Sequence, residues 1–438
     1  MASVATETVP VKPGADQRST LAFRAMVVFS FLYYARPEDA IPPLRIIPLS
    51  KIAALVCVVG LISGLGRRRK MKFPLALTLL LLLFAQMVFS IPFGLASRAL
   101  AFWTVVYFSK GVAVALLIGL LVETLPQLRR LLFVQAAAVS FMAIASLAAH
   151  HVNGGRLIGA AGGIFENSND LAINVAVNMP LCFAFFLRAR GVRKALWVIP
   201  LTAMLGVIVL TYSRSGFLAL VMAGIVGLWE FGVKGRRYHL ILLAALVAVL
   251  MMAFAPENYS TRLESIFAGR IKGSIDHGSE DARRALLETS LQLMAQHPLV
   301  GVGPGNFPAY TGQWMVAHNT YSEMGAEVGI PALVLFLLVL GAGIKNLFVA
   351  QKSALHKTNL EFRILTGGVM ASMAAYILGA MFADTAYNIF PYFLVAYTCC
   401  LRQIAENPAA MPADNAPVKP APEAGTPKAY ATSGSYRG

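Results

Sequence analysis

Apolar stretches long enough to cross a bilayer recur along almost the whole of this 438-residue chain. A spanning helix needs about 20 consecutive, mostly apolar residues. Twelve candidates can be read, roughly 20–35, 46–65, 73–92, 99–122, 128–149, 171–188, 194–212, 214–232, 238–256, 326–349, 361–383 and 386–403. Hydrophobic residues make up 57% of the chain and charged residues only 13%, against about 25% charged in a soluble domain. Lipid is therefore the solvent for most of the chain. Backbone in lipid must satisfy its own hydrogen bonds, which makes such spans helical. The expected fold class is all-α, a polytopic membrane protein of about 12 transmembrane helices, with one long hydrophilic loop between helices 9 and 10.

The net charge of +16 fits this reading through its distribution. With the N-terminus in the cytoplasm, the inner loops hold Arg67, Arg68, Arg69 and Lys70, then Arg129 and Arg130, then Arg188, Arg190, Arg193 and Lys194, then Lys234, Arg236 and Arg237, then Lys352 and Lys357. The short outer loops hold only Arg36, Arg45, Arg98, Arg156 and Arg214. That alternation follows the positive-inside rule and places both termini in the cytoplasm. No basic run is interleaved with aromatic residues as a nucleic-acid surface would be. Cys57, Cys182, Cys399 and Cys400 fall in apolar stretches without metal-ligand spacing, so they read as small buried hydrophobes.

The expected organisation is a cytoplasmic N-terminal segment at 1–19, helices 1–9 over 20–256, a catalytic loop at 257–325, helices 10–12 over 326–405, and a disordered cytoplasmic tail at 406–438. Residues 1–20 lack the charged-then-apolar pattern of a cleavable signal peptide. The tail is rich in Pro, Ala and Gly and has too little apolar surface for a core. Within the long loop, "ARRALLETSLQLMAQ" carries Leu287, Leu291 and Met294 at helical spacing, which predicts an amphipathic helix near the membrane surface. His297-Pro298 ends it, because proline disfavours helix at the residue before it. A glycine-rich turn, "LVGVGPGNF", follows. Its glycines lack the preceding strand and the spacing of a nucleotide-binding loop.

Four polar clusters stand out: "GGRLIGAAGGIFENSND" at 154–170, "TYSRSG" at 211–216, the long loop, and "FADTAYN" at 382–388. The topology puts all four on the outer side. A bilayer enzyme acting at one face would show this pattern. A transporter would instead place ionisable groups mid-helix, where Lys110, with Asn174, Asn178 and Gln86, is sparse company.

The run "RRALLETSLQLMAQHPLVGVGPGNF…AHNTYSEMGAEVGIPALVLFLL" resembles the signature of the O-antigen ligase and O-antigen polymerase superfamily. Arg283, His297 to Phe307, His318, Asn319, Tyr321 and Glu327 to Ile330 carry the resemblance, with "RLIGAAGGIFENSNDLA" and "TYSRSGFLAL" as further familial pieces. It covers about 150–350. Leu287 and Pro331 depart from the family pattern, where Trp and Gly are frequent. The resemblance implies glycosyl transfer at the periplasmic face of the bacterial inner membrane. The donor would be a glycan on undecaprenyl pyrophosphate. The acceptor would be a sugar hydroxyl on lipid A–core (ligase) or on another lipid-linked repeat (polymerase). Attachment to protein Ser or Thr, and polysaccharide transport, remain alternative readings. It further implies a helical bundle related to the lipid-sugar-using (GT-C-type) glycosyltransferases, inversion at the anomeric centre, and no metal or other cofactor.

These residue types suit that chemistry. Arginine forks match phosphate oxygens bidentately, which makes Arg214 and Arg283 the candidates for the pyrophosphate. Histidine titrates nearest neutral pH, which makes His318 the candidate catalytic base, with Glu323 or Glu327 to orient it. Arg156, Asn169, Asn319, Tyr321 and Glu327 are candidate substrate contacts. Each has a plainer reading. Arg214 could anchor to a headgroup, and either Arg283 or Arg284 could pair with lipid phosphate. His318 could cap the next helix. Glu38-Asp39, in "RPEDAIPP", is a poor substitute for the Asp-x-Asp of metal-dependent relatives.

Overall fold

The computed structural model describes residues 13–40, 47, 49–64, 73–162, 165–254, 277–312 and 315–407. Residues 1–12 of the N-terminal segment, the basic run 67–70, Arg45, the first part of the long loop (255–276), Trp314 and the tail beyond 407 lie outside the described residues.

The regular structure of the described residues is helical, apart from a two-stranded hairpin. Among the described residues, eight helices are long and apolar enough to cross a membrane: Leu75–Phe93, Arg98–Leu121, Leu125–Ala149, Ser168–Arg188, Val192–Leu210, Arg214–Val233, Ile330–Lys352 and Leu360–Phe382. Leu21–Ala35 and Leu49–Ile62 are shorter apolar helices, as are His239–Phe254 and Phe390–Glu406. The chain is an all-helical, multi-pass membrane protein. Leu360–Phe382 and Ser168–Arg188 are buried over most of their length. Val192–Leu210 instead exposes Val192, Leu196, Val198 and Ile199, the apolar surface that lipid covers.

Small residues let the innermost helices approach closely, as membrane packing requires. Ser168–Arg188, Arg214–Gly227 and Leu360–Gly379 pack mutually. Gly216 is where two of them cross, since a Cβ there would lie 2.3 Å from the Ala172 Cβ. Polar side chains inside the bundle find each other. The Tyr397 hydroxyl donates to Gln135 Oε1 at 2.7 Å, and Gln135 Nε2 donates to Asn178 Oδ1 at 2.7 Å. Asn178 in turn donates to the Asn174 carbonyl at 2.8 Å. Asn174 and Asn178 thus belong to a structural network, not to an ion path. Lys110 rests its ammonium 5.2 Å from the Tyr107 ring centroid.

Two boundaries differ from the sequence reading. The tenth span begins as helix at Ile330, because Gly329 takes φ +90° and breaks it from a separate helix, Thr320–Val328. The amphipathic helix runs His277–Gln296 and stops before His297-Pro298 as expected, but its inward face is rotated by one residue. Leu286, Ser290 and Leu293 are buried, while Leu291 is 45% exposed. Two adjacent leucines made both registers apolar. Packing against Thr320–Val328 selected the one that meets Val302, Phe307 and Ala326.

Candidate active site

The glycine-rich turn packs tightly against Gly94, Thr104 and the end of the Thr320–Val328 helix. Gly301, Gly303 and Gly305 all have positive φ (64°, 102° and 71°), and a Cβ at each would collide with backbone or a neighbouring helix. It would meet the Glu327 carbonyl carbon at 2.3 Å, Gly94 Cα at 2.5 Å and Thr104 Oγ1 at 2.3 Å, respectively. Only glycine fits such positions. The Val302 and Gly303 N–H groups donate to the carbonyls of Ala326 and Glu327, and the Ile330 N–H donates to the Pro298 carbonyl. Asn306 ties the turn to Ser97, accepting from its N–H at 2.7 Å.

The Glu327 carboxylate holds the middle of this turn. Oε2 accepts from the Gly305 N–H at 2.7 Å and from the Tyr387 hydroxyl at 2.5 Å, and Oε1 accepts from the Phe307 N–H at 2.9 Å. The residue is fully buried. Expected as a substrate contact, it lines a cavity but has both oxygens engaged by protein.

That cavity has a volume of about 390 Å³, with Trp103, Tyr107 and Tyr387 as aromatic wall and Glu323, Glu327 and Asp384 as acids. Burial pushes the carboxyls of Glu323 and Asp384 well above the usual carboxylate range, and that of Glu327 with them. Glu323 pairs with Asp384 and with the backbone of Ala317, so the orienting role expected of Glu323 and Glu327 toward His318 is not what their side chains do.

His318 and Arg283, read separately from the sequence, are brought together. Burial, and then the nearby Arg283 guanidinium, push the imidazole down to about 4, so it is neutral at pH 7. Its backbone is left-handed, with φ 54°, a strained setting that recurs at functional sites. The next residues fix it in place. Asn319 caps the Thr320–Val328 helix, its Oδ1 accepting from the N–H groups of Tyr321 and Ser322. Thr320 Oγ1 donates to the Ala383 carbonyl at 2.6 Å and accepts from the Thr385 N–H at 3.0 Å. The Tyr321 hydroxyl donates to the Ile377 carbonyl at 2.7 Å. Asn319 and Tyr321 are thus scaffold for the histidine, and Thr320 binds "HNTY" to "FADTAYN".

A second assembly joins the two earlier motifs. The hairpin pairs Val152 with Leu157 and Asn153 with Arg156. Its Gly154 and Gly155 supply the two positive φ angles a tight turn of this hand needs. Arg156 then reaches Asn169 Oδ1 (2.6 Å) and the Thr211 carbonyl (2.8 Å). Ser213 Oγ also donates to Asn169 Oδ1 at 2.9 Å, and it caps the helix that Arg214 begins. Arg156 and Asn169 line an open recess of about 660 Å³ or support it. The two assemblies are neighbours, because Asp170 lies within electrostatic reach of Asp384. Asp39 is engaged with Arg36 at 2.6 Å and with the Gly162 N–H at 3.1 Å, which ties the short helix Pro37–Ala40 to Gly162.

Sequence reading singled out "FADTAYN" as a polar cluster but assigned no role to Asp384 or Tyr387. Trp103 and Tyr107 carried no signal beyond being apolar residues in a spanning helix.

Residues 199–337 match the family model described as O-Antigen ligase. That segment of the chain is similar to the O-antigen ligase family. The matched segment holds Arg214, Arg283, His318, Glu323 and Glu327, so the superfamily resemblance read from the motifs is borne out. The cavity also draws Trp103, Tyr107, Asp384 and Tyr387 from outside the matched segment. No curated protein matches the chain. A solved chain from a structure titled "Structural coordination of polymerization and crosslinking by a peptidoglycan synthase complex" superposes on 74% of this chain and 97% of its own length, with a TM-score of 0.42 and 15% identity. A superposition that loose supports nothing further.

Proposed function

We propose that the protein is an O-antigen ligase-type glycosyltransferase of the bacterial inner membrane. It moves a glycan from undecaprenyl pyrophosphate to a sugar hydroxyl of lipid A–core at the periplasmic face. The reading includes twelve spans, both termini in the cytoplasm and kinship with GT-C-type bundles. The observation that carries it is that Arg283 acts electrostatically on His318 in the same matched segment that supplies Glu323 and Glu327 to an aromatic, acid-lined cavity.

In the reaction the acceptor oxygen bonds to the anomeric carbon as the carbon–oxygen bond to pyrophosphate breaks. The electron pair leaves on undecaprenyl pyrophosphate. Arg283 and Arg214 hold the developing phosphate charge. His318 is neutral at working pH, so it accepts a hydrogen bond from the acceptor hydroxyl and orders it for attack. Arg156 and Asn169 shape the recess beside the donor.

Deleting the gene in its host and running surface glycolipids on a gel tests the reading. Loss of the long-chain ladder, with full-length polymer accumulating on undecaprenyl pyrophosphate, is the expected result. Single repeat units instead would identify a polymerase, and an unchanged ladder would overturn both. In the complemented strain, His318→Ala should express normally and fail to restore the ladder.

A further inference from the structure

The cavity wall holds a polar arrangement that Arg283 and His318 leave unused. Glu323 and Glu327 lie one turn apart on the Thr320–Val328 helix and share a face. Glu327 is engaged by the glycine-rich turn and Tyr387. Glu323, only 2% exposed, has a buried Oε2 that meets no hydrogen-bond donor. Its side-chain neighbour is the carboxyl of Asp384, 61 positions later in the chain. Two ionised carboxylates cannot bond each other, and they repel strongly where water is excluded. A single proton between them turns the repulsion into a hydrogen bond. Glu323, the more deeply buried, carries the proton and donates it to Asp384. Asp384 is left ionised and partly exposed, on the wall of the cavity.

The geometry points to Asp384 as the general base that takes the acceptor's proton, with the protonated Glu323 as its positioning partner. This rests on the glycosyl-transfer reading above. As the acceptor oxygen bonds to the anomeric carbon and the pyrophosphate departs with its electron pair, the hydroxyl proton passes to the Asp384 carboxylate. Both carboxyls are then neutral, and the extra proton returns to water. His318 is the poorer proton acceptor, because its conjugate acid forms only near pH 4. A carboxylate shifted upward by burial is the better match to neutral pH. The other groups facing Asp384 are Glu327 on the same helix as Glu323, Asp170 on Ser168–Arg188, and Tyr376 and Tyr387. The tyrosines are neutral hydroxyls; burial raises the basicity of Asp384, and the hydrogen bond from Glu323 offsets part of that rise.

The test uses the full-length protein in nanodiscs with a synthetic polyprenyl-pyrophosphate oligosaccharide as donor. Donor binding, transfer to a sugar hydroxyl and transfer to azide are measured. Azide is a nucleophile with no proton to lose. Asp384→Asn, which preserves shape, should lower transfer to the hydroxyl by about 100- to 10,000-fold while donor affinity stays within about twofold. Azide should restore turnover as the glycosyl azide. Glu323→Gln still offers Asp384 an N–H and should keep transfer within about tenfold. Wild-type transfer by Asp384→Asn, or loss of donor binding with no gain from azide, would overturn the assignment and leave Asp384 a structural residue. A wild-type protein inert toward this donor with every acceptor would overturn the glycosyl-transfer reading itself, and the base with it.

Discussion

Glu327→Ala puts the packed glycine turn to the sharpest test. Three donors converge on this one fully buried carboxylate: the N–H groups of Gly305 and Phe307 and the hydroxyl of Tyr387. Removing it leaves all three without an acceptor, the Phe307 N–H buried and the other two half-buried at the cavity wall. Each such loss costs about 1–3 kcal/mol, giving roughly 3–9 kcal/mol if the losses added. They share one acceptor and water can enter the space, so about 3–5 kcal/mol is the working figure. Glu327→Gln keeps one carbonyl oxygen. Placed where Oε2 was, it still serves Gly305 and Tyr387, but it turns an amide N–H toward the Phe307 N–H. The cost should be one lost bond and one donor–donor contact, about 2–3 kcal/mol. The four buried free cysteines, Cys57, Cys182, Cys399 and Cys400, give a direct assay, since a thiol-reactive dye reports their exposure on heating. The midpoint should fall in the order wild type, Glu327→Gln, Glu327→Ala. A Glu327→Ala protein that melts with the wild type would refute the clamp, and with it the placement of Gly305 in the cavity wall.

Other consequences follow from the same contacts. Arg283→Lys keeps the charge but not the fork, so it should raise the KM for the lipid-linked donor at least about tenfold, and Arg283→Ala should raise it further. Removing that cation should also lift the His318 imidazole part of the way from about 4 toward its ordinary value, with burial still holding it down; a histidine NMR titration reads the change directly. Because the folded protein keeps His318 neutral, the stability this gives is complete above about pH 6.5 and is lost as pH falls toward about 4. The dye midpoint should therefore drop more steeply between pH 7 and 5 in wild type than in His318→Gln, and parallel slopes would contradict the shift. Gly216→Ala drives a methyl to 2.3 Å from the Ala172 Cβ and should destabilise by about 1–3 kcal/mol, visible in the same melt.

The sequence by itself determined the class of molecule. Apolar runs of spanning length force helices, because backbone in lipid has no other partner for its N–H and C=O groups. Local chemistry also set several ends, as at Pro298 and Gly329. The motifs made Arg283 and His318 candidates, and the fold brings them within electrostatic reach of each other. What residue type and spacing left undetermined was the partner of each polar group. "HNTYSEMGAE" offers one histidine, one asparagine and two glutamates. Only packing makes Asn319 a helix cap, Glu327 the clamp on a turn twenty residues earlier, and Glu323 the mate of Asp384. Helical periodicity says which side chains share a face, not which face meets which. For that reason the helix His277–Gln296 turned Leu286 inward where Leu287 had looked equally apt. The contacts that build the cavity join Trp103, Glu323 and Asp384 across hundreds of positions, and only the tertiary fold, which closes those distances, decided them.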